Sequence, residues 1–584
     1  MKHENNFLFA FLMSFHHQNK RHLLTVFVCI NSILFTNILY ADQSEPASES
    51  IKIRTTTSGK IAGKLVHQGN VIEWLGVAYA QPPVDDLRWK ATRPALAWDG
   101  IRQATMQPQP CPQQKSNGDE KVYIGDEDCL YLNIWRPNSD HENLPVHVYF
   151  HGGANEQGSI SRGAHQGELL AQKGNMIVVT VQYRLGFLGW LYTNEKKSSN
   201  AMDNSGNYGL LDSIQSLKWI KQNISAFGGD PNNVTLGGLS AGAQNIFNLL
   251  SSKMATGLFH KAYLQSGIPI DYSLTEAQIA SSQLKKALIG ESVAKMNAEE
   301  IDVYLASVSA KDIIKFGSQL NPDFNGVRDG FVMPLEPTLE QISNGSIANK
   351  VPLLIGLTKD EVKFWTCDKL DNIFYWLKPS NAALVGDYIN ELFTAMVVPA
   401  FRKGARLSSS QQWDIYFYQM RWGTPDENGN SPLPNNLGLC AGAFHAIDTS
   451  FHFGHWDRTI FKPSLQSLIF TEANREGRKN LSAEIMTRFT SFVHNGNPNF
   501  DSAIPWPLIT EGLDVTRLAF DVDLEKDSAK VQVLKGIKSV NDIKQKADKT
   551  FTNDQKKTLY PLINSFLLKF QAPEHLLLRD ESVE

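Results

Sequence analysis

The residues best suited to chemistry are Gly238-Leu239-Ser240-Ala241-Gly242. They follow a short apolar run, Asn233-Val234-Thr235-Leu236, and lead into Ala243–Leu250, a segment able to form a helix. Strand, sharp turn and helix together make the setting of a nucleophile elbow. Glycine at both ends leaves no Cβ to obstruct a strained turn, so a serine hydroxyl can stand clear of the backbone. A plain glycine turn would read the same way. A serine hydroxyl is a poor nucleophile at neutral pH. It needs a base, a carboxylate to orient that base, and backbone N–H donors where an oxyanion develops. The rest of the chain must therefore supply these parts.

Candidate oxyanion donors lie in Phe150-His151-Gly152-Gly153-Ala154, directly after the apolar run Val146–Phe150. Small residues after a strand let successive N–H groups turn toward a substrate carbonyl. Gly153 and Ala154, with Ala241 after the serine, would give three donors. A glycine β-turn is the alternative. The acid and the base are not singled out by composition, because the chain holds 60 Asp and Glu residues and 15 histidines.

Further motifs resolve that choice. Glu127-Asp128-Cys129-Leu130-Tyr131-Leu132-Asn133-Ile134-Trp135 is one. Gly206-Asn207-Tyr208-Gly209-Leu210-Leu211-Asp212 is another, running through Phe227–Thr235 to the serine. Tyr183-Arg184-Leu185-Gly186 and Gln265-Ser266-Gly267 complete the set. With these motifs the chain resembles the type-B carboxylesterase family, which includes carboxylesterases, para-nitrobenzyl esterases and cholinesterases, from about Ser58 to Asp521. The resemblance implies an α/β-hydrolase fold and the chain order serine, acid, histidine. It implies Glu361 as the acid, within Thr358-Lys359-Asp360-Glu361, with the adjacent Asp360 as the rival. Val362 stands where the family usually has glycine. It implies His445 as the base, within Gly442-Ala443-Phe444-His445-Ala446-Ile447-Asp448. A lone histidine is more often structural, and His452 and His455 keep that reading. His151 would shape the oxyanion loop, and Ser266 would support the acid or the histidine. Arg88 would pair with Glu127, Arg184 with Asp212, and Cys111 with Cys129 in a small disulfide loop.

Two departures from the family bear on substrate. Leu239 replaces the glutamate that usually precedes the serine, and Pro112–Asp128 contains no tryptophan. Cholinesterases use such a tryptophan to hold trimethylammonium by cation–π contact. Neutral esters are therefore expected to be preferred over choline esters.

The elements that must position these residues read as α/β architecture. Val146–Phe150, Met176–Val181, Val351–Gly356 and Trp413–Met420 are apolar strand candidates. Ile214, Leu217, Ile220 and Ile224 recur at helical spacing, with Gly228-Gly229 able to end the helix. Strands alternating with helices predict a mostly parallel central sheet flanked by helices, with large insertions. The 584 residues carry a net charge of −4, which gives no support for nucleic-acid binding.

Residues 1–41 read as a signal peptide: Lys20-Arg21-His22 flanks the apolar run Leu23–Leu39, and Ala41 closes it. An uncleaved anchor is the alternative, and Met13 is a candidate start. Residues 42–50 form a polar leader, 51–535 the catalytic domain, and 536–584 a Lys-rich tail able to form one or two surface helices. Export to the periplasm or the medium follows, with no stable membrane association after signal removal. Cys29 leaves with the signal, and Cys111, Cys129, Cys367 and Cys440 remain. Cys367 lies close after Glu361 and Cys440 close before His445, so a meeting of acid and histidine brings both cysteines into one neighbourhood. A second disulfide, Cys367–Cys440, is expected there.

The expected function is hydrolysis of small-molecule carboxylic esters through an acyl-serine intermediate, without metal or organic cofactor. The alternatives are a non-catalytic binding or adhesion protein on the same fold, or a hydrolase of amides, thioesters or carbamates.

Overall fold

The structure is a computed structural model that describes residues 52–117, 120–193, 198–320, 323–363, 379–407, 413–434, 437–501, 504–510, 514–569 and 577–578. The proposed signal and leader, Cys29 and Cys367 lie outside these residues.

Among the described residues, seven parallel strands form the centre of a 13-stranded sheet. Their spatial order is Ile177–Val181, Leu144–Phe150, Gly229–Leu239, Lys261–Gln265, Leu353–Thr358, Ile415–Met420 and Thr516–Asp523. Antiparallel strands extend both edges, Tyr131–Pro137 beside Ile177–Val181 and Ser528–Lys535 beside Thr516–Asp523. The apolar runs seen in the sequence are unbroken because these strands are covered on both faces. Val146, Val148 and Phe150 enter one core cluster with Ile177, Val179 and Val181, while Tyr149 and Val178 enter the other. Helices Tyr208–Asn223 and Ala241–Ser251 cover the first face, and Arg475–Asn495 covers the second.

Strand order reverses at Leu144–Phe150. The chain goes first to Ile177–Val181 on one side, then across to Gly229–Leu239 on the other. Crossover connections leaving in opposite directions open a crevice at the carboxyl ends of the strands. The loop after Phe150 and the turn after Leu239 both emerge there.

Observed boundaries differ from the sequence reading for local reasons. Pairing of the acid strand begins at Leu353, since Pro352 has no N–H to donate; its carbonyl still accepts from Ala262 N at 3.0 Å. The serine strand starts at Gly229, earlier than its apolar residues suggest, because its polar leading residues carry no hydrophobic signal. The helix carrying Ile214, Leu217 and Ile220 ends at Asn223, and a 3₁₀ turn follows to Phe227. Gly228 closes that turn with φ of 79°.

The tail forms two helices, Val540–Thr550 and Asn553–Lys569. They are not merely surface helices. Ile543, Ala547, Leu559, Ile563 and Leu567 form a third core cluster with Val385, Ile389 and Leu392 of helix Pro379–Leu407, and with Val362.

Both expected ion pairs are present. Arg88 contacts Glu127 through Nε and Nη2, the former at 2.8 Å. Arg184 grips Asp212 bidentately, with Nε to Oδ2 and Nη2 to Oδ1 both at 2.8 Å, and Asp212 is fully buried. Losing one partner strands the other charge in the interior. Asp212→Ala is expected to lower unfolding free energy by about 3–5 kcal/mol, read from urea denaturation. A midpoint unchanged from the parent protein would refute that role.

Candidate active site

Ser240 caps helix Ala241–Ser251 at the end of its strand, with φ 56° and ψ −122°. That region is strained for any residue with a Cβ and persists only where surroundings enforce it. The Ser240 N–H donates to the Gln265 carbonyl of the neighbouring strand at 2.8 Å. A Cβ on Gly242 would run into the Phe150 carbonyl oxygen, so helix and loop touch here only because glycine allows it.

The candidate oxyanion loop presses against this turn. A Cβ on Gly152 would lie 2.8 Å from the Leu239 carbonyl oxygen and 3.1 Å from Ser240 Cβ. The Tyr183 hydroxyl donates to the His151 carbonyl at 2.6 Å. Gly153 and Ala154 both have positive φ, 123° and 57°. Among the described residues, their N–H groups donate to no protein acceptor. Ala241 is the first residue of its helix, so its N–H has no partner within the helix. Gly153, Ala154 and Ala241 thus offer three donors beside Ser240.

Glu361 and His445 are brought together, with Glu361 Oε2 2.6 Å from His445 Nδ1. Glu361 Oε1 accepts from Ser266 Oγ and from the Thr358 N–H, each at 2.6 Å. Ser266 follows the strand that pairs with the serine strand, where Leu239 is in register with Gln265. Serine, acid and supporting serine therefore sit at the carboxyl ends of adjacent strands.

Asp360, the rival acid, points elsewhere. It is fully buried and accepts from the Ala443 N–H at 2.9 Å, from Thr424 Oγ1, and from Lys363 Nζ at 2.7 Å. Its own N–H donates to the Ala443 carbonyl at 3.0 Å. Burial alone would raise the Asp360 carboxyl, but the Lys363 and Lys359 ammonium groups outweigh it and hold the carboxyl below its ordinary value. Asp360 thus fastens the backbone two residues before His445. The sequence reading weighed it only as a competitor, since a buried bond to a distant backbone leaves no local signature.

Asp448 closes the histidine-loop motif, which by itself assigns it no role. Fully desolvated, it is pushed up to about 6, against the Tyr418 hydroxyl that donates to it at 2.7 Å. The Glu361 charge also raises it.

The remaining buried histidines make their contacts away from Glu361. His151 places Nδ1 3.0 Å from the Gly152 carbonyl and stacks on Tyr183, ring centroids 4.6 Å apart. His452 faces His147, Nε2 to Nε2 at 3.3 Å, and His455 Nε2 donates to the Gln166 carbonyl at 2.9 Å. Cys111 and Cys129 are joined, with Cα atoms 5.0 Å apart, around the hairpin Gln113–Asn117 and Glu120–Ile124. The expected partner of Cys440, Cys367, lies outside the described residues. Among the described residues, no group of three or more His, Cys, Asp or Glu side chains is placed to hold a metal ion.

Burial pushes His147 and His151 down to about 3 and His165 to about 4, and it drives His452 well below its ordinary value. These imidazoles stay neutral when folded but take up protons below about pH 6.5 when unfolded. Their contribution is full above that pH and is lost as pH falls toward their folded values. Asp448 works in the opposite sense, since its raised value favours the folded state at low pH and loses that contribution as pH rises through about 6. Burial also lowers His260 and His455 and raises Glu73, Asp271, Asp329 and Asp521. The imidazoles, whose unfolded values lie between about pH 5 and 7, outweigh the carboxyls, whose unfolded values lie below that range. The thermal midpoint is therefore expected to fall steadily from pH 7 to pH 5, measured by circular dichroism. A flat or rising midpoint would contradict it.

Residues 49–381 match the carboxylesterase family. The chain is 34% identical over 505 residues to the para-nitrobenzyl esterase of Bacillus subtilis (strain 168), covering 82% of this chain and 96% of that protein. It is 30% identical over 521 residues to the cocaine esterase of Homo sapiens, covering 79% and 86% of the two chains. A solved PNB esterase structure superposes with a TM-score of 0.64 at 31% identity, over 83% of this chain and 97% of that one. The sheet and its crossovers are those of the α/β-hydrolase fold. The chain belongs to the carboxylesterase family and is a carboxylic ester hydrolase.

Proposed function

We propose that the ester is cleaved by a Ser240–His445–Glu361 triad through an acyl-serine intermediate. The observation that carries this reading is the 2.6 Å contact between Glu361 Oε2 and His445 Nδ1, with Ser240 on a strained elbow at the end of the strand adjacent to the one that Ser266, the partner of Glu361, follows. With Nδ1 engaged by the carboxylate, Nε2 is the nitrogen assigned the role of base. His445 Nε2 takes the proton as Ser240 Oγ attacks the carbonyl carbon. The Glu361 carboxylate stabilises the imidazolium that forms. The oxyanion accepts from the N–H groups of Gly153, Ala154 and Ala241. Collapse of the tetrahedral intermediate expels the alcohol, which receives its proton from His445. Water then repeats the sequence at the acyl-serine and releases the acid. Asp360 keeps the histidine loop in place and Ser266 keeps Glu361 in place, and neither needs to touch substrate.

Neutral esters are the proposed substrate class. Leu239 is buried in the second core cluster, so no carboxylate flanks the serine from that position. Residues 112–128 carry no tryptophan to hold a quaternary ammonium. We also propose export, with residues 1–41 as the signal. The Cys111–Cys129 bridge is compatible with an oxidising compartment. No helix among the described residues is long and apolar enough to cross a membrane.

An organophosphate should label the purified protein stoichiometrically at Ser240, read by peptide mass spectrometry. Label on another residue, or none on folded protein, removes the serine mechanism. Glu361→Gln is expected to lower kcat by about 10⁴-fold. Asp360→Asn is expected to cost less than about tenfold in kcat while lowering the thermal midpoint, because it weakens a buried ion pair outside the triad. The reverse ranking would make Asp360 the acid. Acetylcholine is expected to be a poorer substrate than phenyl acetate by kcat/KM, and a preference for acetylcholine would reveal a cation site elsewhere.

A further inference from the structure

Asn155 follows directly on Gly153 and Ala154 and is completely buried, with φ of 55°. Its Nδ2 donates to the Phe324 carbonyl at 2.9 Å and lies 3.2 Å from Asn245 Oδ1. Asn245 Nδ2 donates back to Asn155 Oδ1 at 2.8 Å. The two side chains thus form a reciprocal amide pair in the interior. Asn245 is also completely buried and stands four residues after Ala241, on the same face of helix Ala241–Ser251. One amide therefore belongs to the loop carrying two oxyanion donors. The other belongs to the helix carrying the third.

The loop is fixed at both ends. Before it, Tyr183 holds the His151 carbonyl. After it, the Asn155 carbonyl accepts from the Gly186 N–H at 2.7 Å, and the Asn155 side chain is locked to the helix. Between these anchors the N–H groups of Gly153 and Ala154 are left without protein acceptors among the described residues. A pair of apolar side chains could fill the same space. It could not fix loop against helix in one register, because dispersion contacts have no preferred direction, whereas two opposed amides do. Donors aimed at a developing oxyanion act only when held where the charge appears.

We infer that Asn155 and Asn245 are positioning residues that hold the loop donors and the helix donor of the oxyanion hole in register. This inference rests on the reading of Ser240 as nucleophile. Neither residue needs to touch substrate; both act through backbone they anchor.

Three variants test it: Asn155→Gly, which keeps the positive φ while removing the amide, Asn245→Ala, and the double variant. Each is assayed with p-nitrophenyl acetate and with an aryl trifluoromethyl ketone, a probe whose tetrahedral adduct uses the same N–H donors. Each single variant is expected to lose about 10- to 100-fold in kcat with KM held within about twofold, and to lose ketone affinity by the same factor. The double variant should lose less than the product of the two single losses, because either change alone already breaks the pair and leaves only the Asn155–Phe324 bond for the second change to remove. A pair serving stability alone would lower the thermal midpoint and leave kcat and ketone affinity of the folded protein intact. That outcome overturns the inference, as does an additive loss in the double variant. Asn245→Ala, at a helical position that suits alanine, keeps the test open if Asn155→Gly does not fold. Ser240→Ala is assayed beside them. If it stays active, the serine reading fails on its own; if it is inactive while both Asn variants keep full kcat and ketone affinity, only the positioning role falls.

Discussion

Everything at this site depends on how the Glu361 carboxylate is held. One oxygen meets His445, and the other accepts two hydrogen bonds, from Ser266 and from the Thr358 backbone. Three anchors from three segments leave the group little freedom to turn. Serine-based hydrolysis needs that rigidity, because an imidazole in the wrong tautomer or orientation cannot accept the proton. Asp360, next along the chain, shows how two adjacent carboxylates divide the work. Glu361 addresses the ring of the histidine, and Asp360 addresses the backbone that carries it.

Among the described residues, five of the twelve non-glycine residues with positive φ gather around the candidate site. Ser240, Ser266, Ala154, Asn155 and Ala446 all adopt positive φ without being glycine. Each lies just after a strand or beside the histidine, at the carboxyl edge of the sheet. Such conformations cost about 1–3 kcal/mol each and persist where surrounding structure leaves no alternative. The strands behind them supply that constraint, since Val146–Phe150 and Ile177–Val181 are buried along their whole length. The reversal of strand order at Leu144–Phe150 then sets the serine turn and the oxyanion loop side by side.

Much of this was legible in the sequence where function is carried by local turns. The Gly-x-Ser-x-Gly elbow, the Gly152-Gly153-Ala154 loop and the long apolar strands each have a signature within a few residues. Family resemblance pointed to Glu361 over Asp360 and to His445 among 15 histidines, and the structure brings Glu361 and His445 into contact. What sequence could not convey was pairing across distance. Nothing near Asp360 announces its bond to Ala443, and nothing near Asn155 announces Asn245, because buried polar bonds are chosen by the fold after the chain has come together. The tail misled for a related reason. Its Lys-rich composition hid an apolar stripe that becomes visible only against helix Pro379–Leu407.

Val362 adds a mechanical link. Immediately after Glu361, it packs into the cluster made by helix Pro379–Leu407 and the two C-terminal helices. Its N–H donates to Asn390 Oδ1 at 3.2 Å, while Asn390 Nδ2 donates to the Lys359 carbonyl at 3.0 Å. The acid loop is thus seated on a satellite core at the far end of the chain, whereas Ser240 is seated on the central sheet. Small peripheral cores open more readily than central strands. Clipping or warming that loosens the last helices would therefore unseat the acid while the sheet still stands. Esterase activity would then fade before the bulk tryptophan signal reports unfolding, and the C-terminus would act as a remote fuse on the proposed triad.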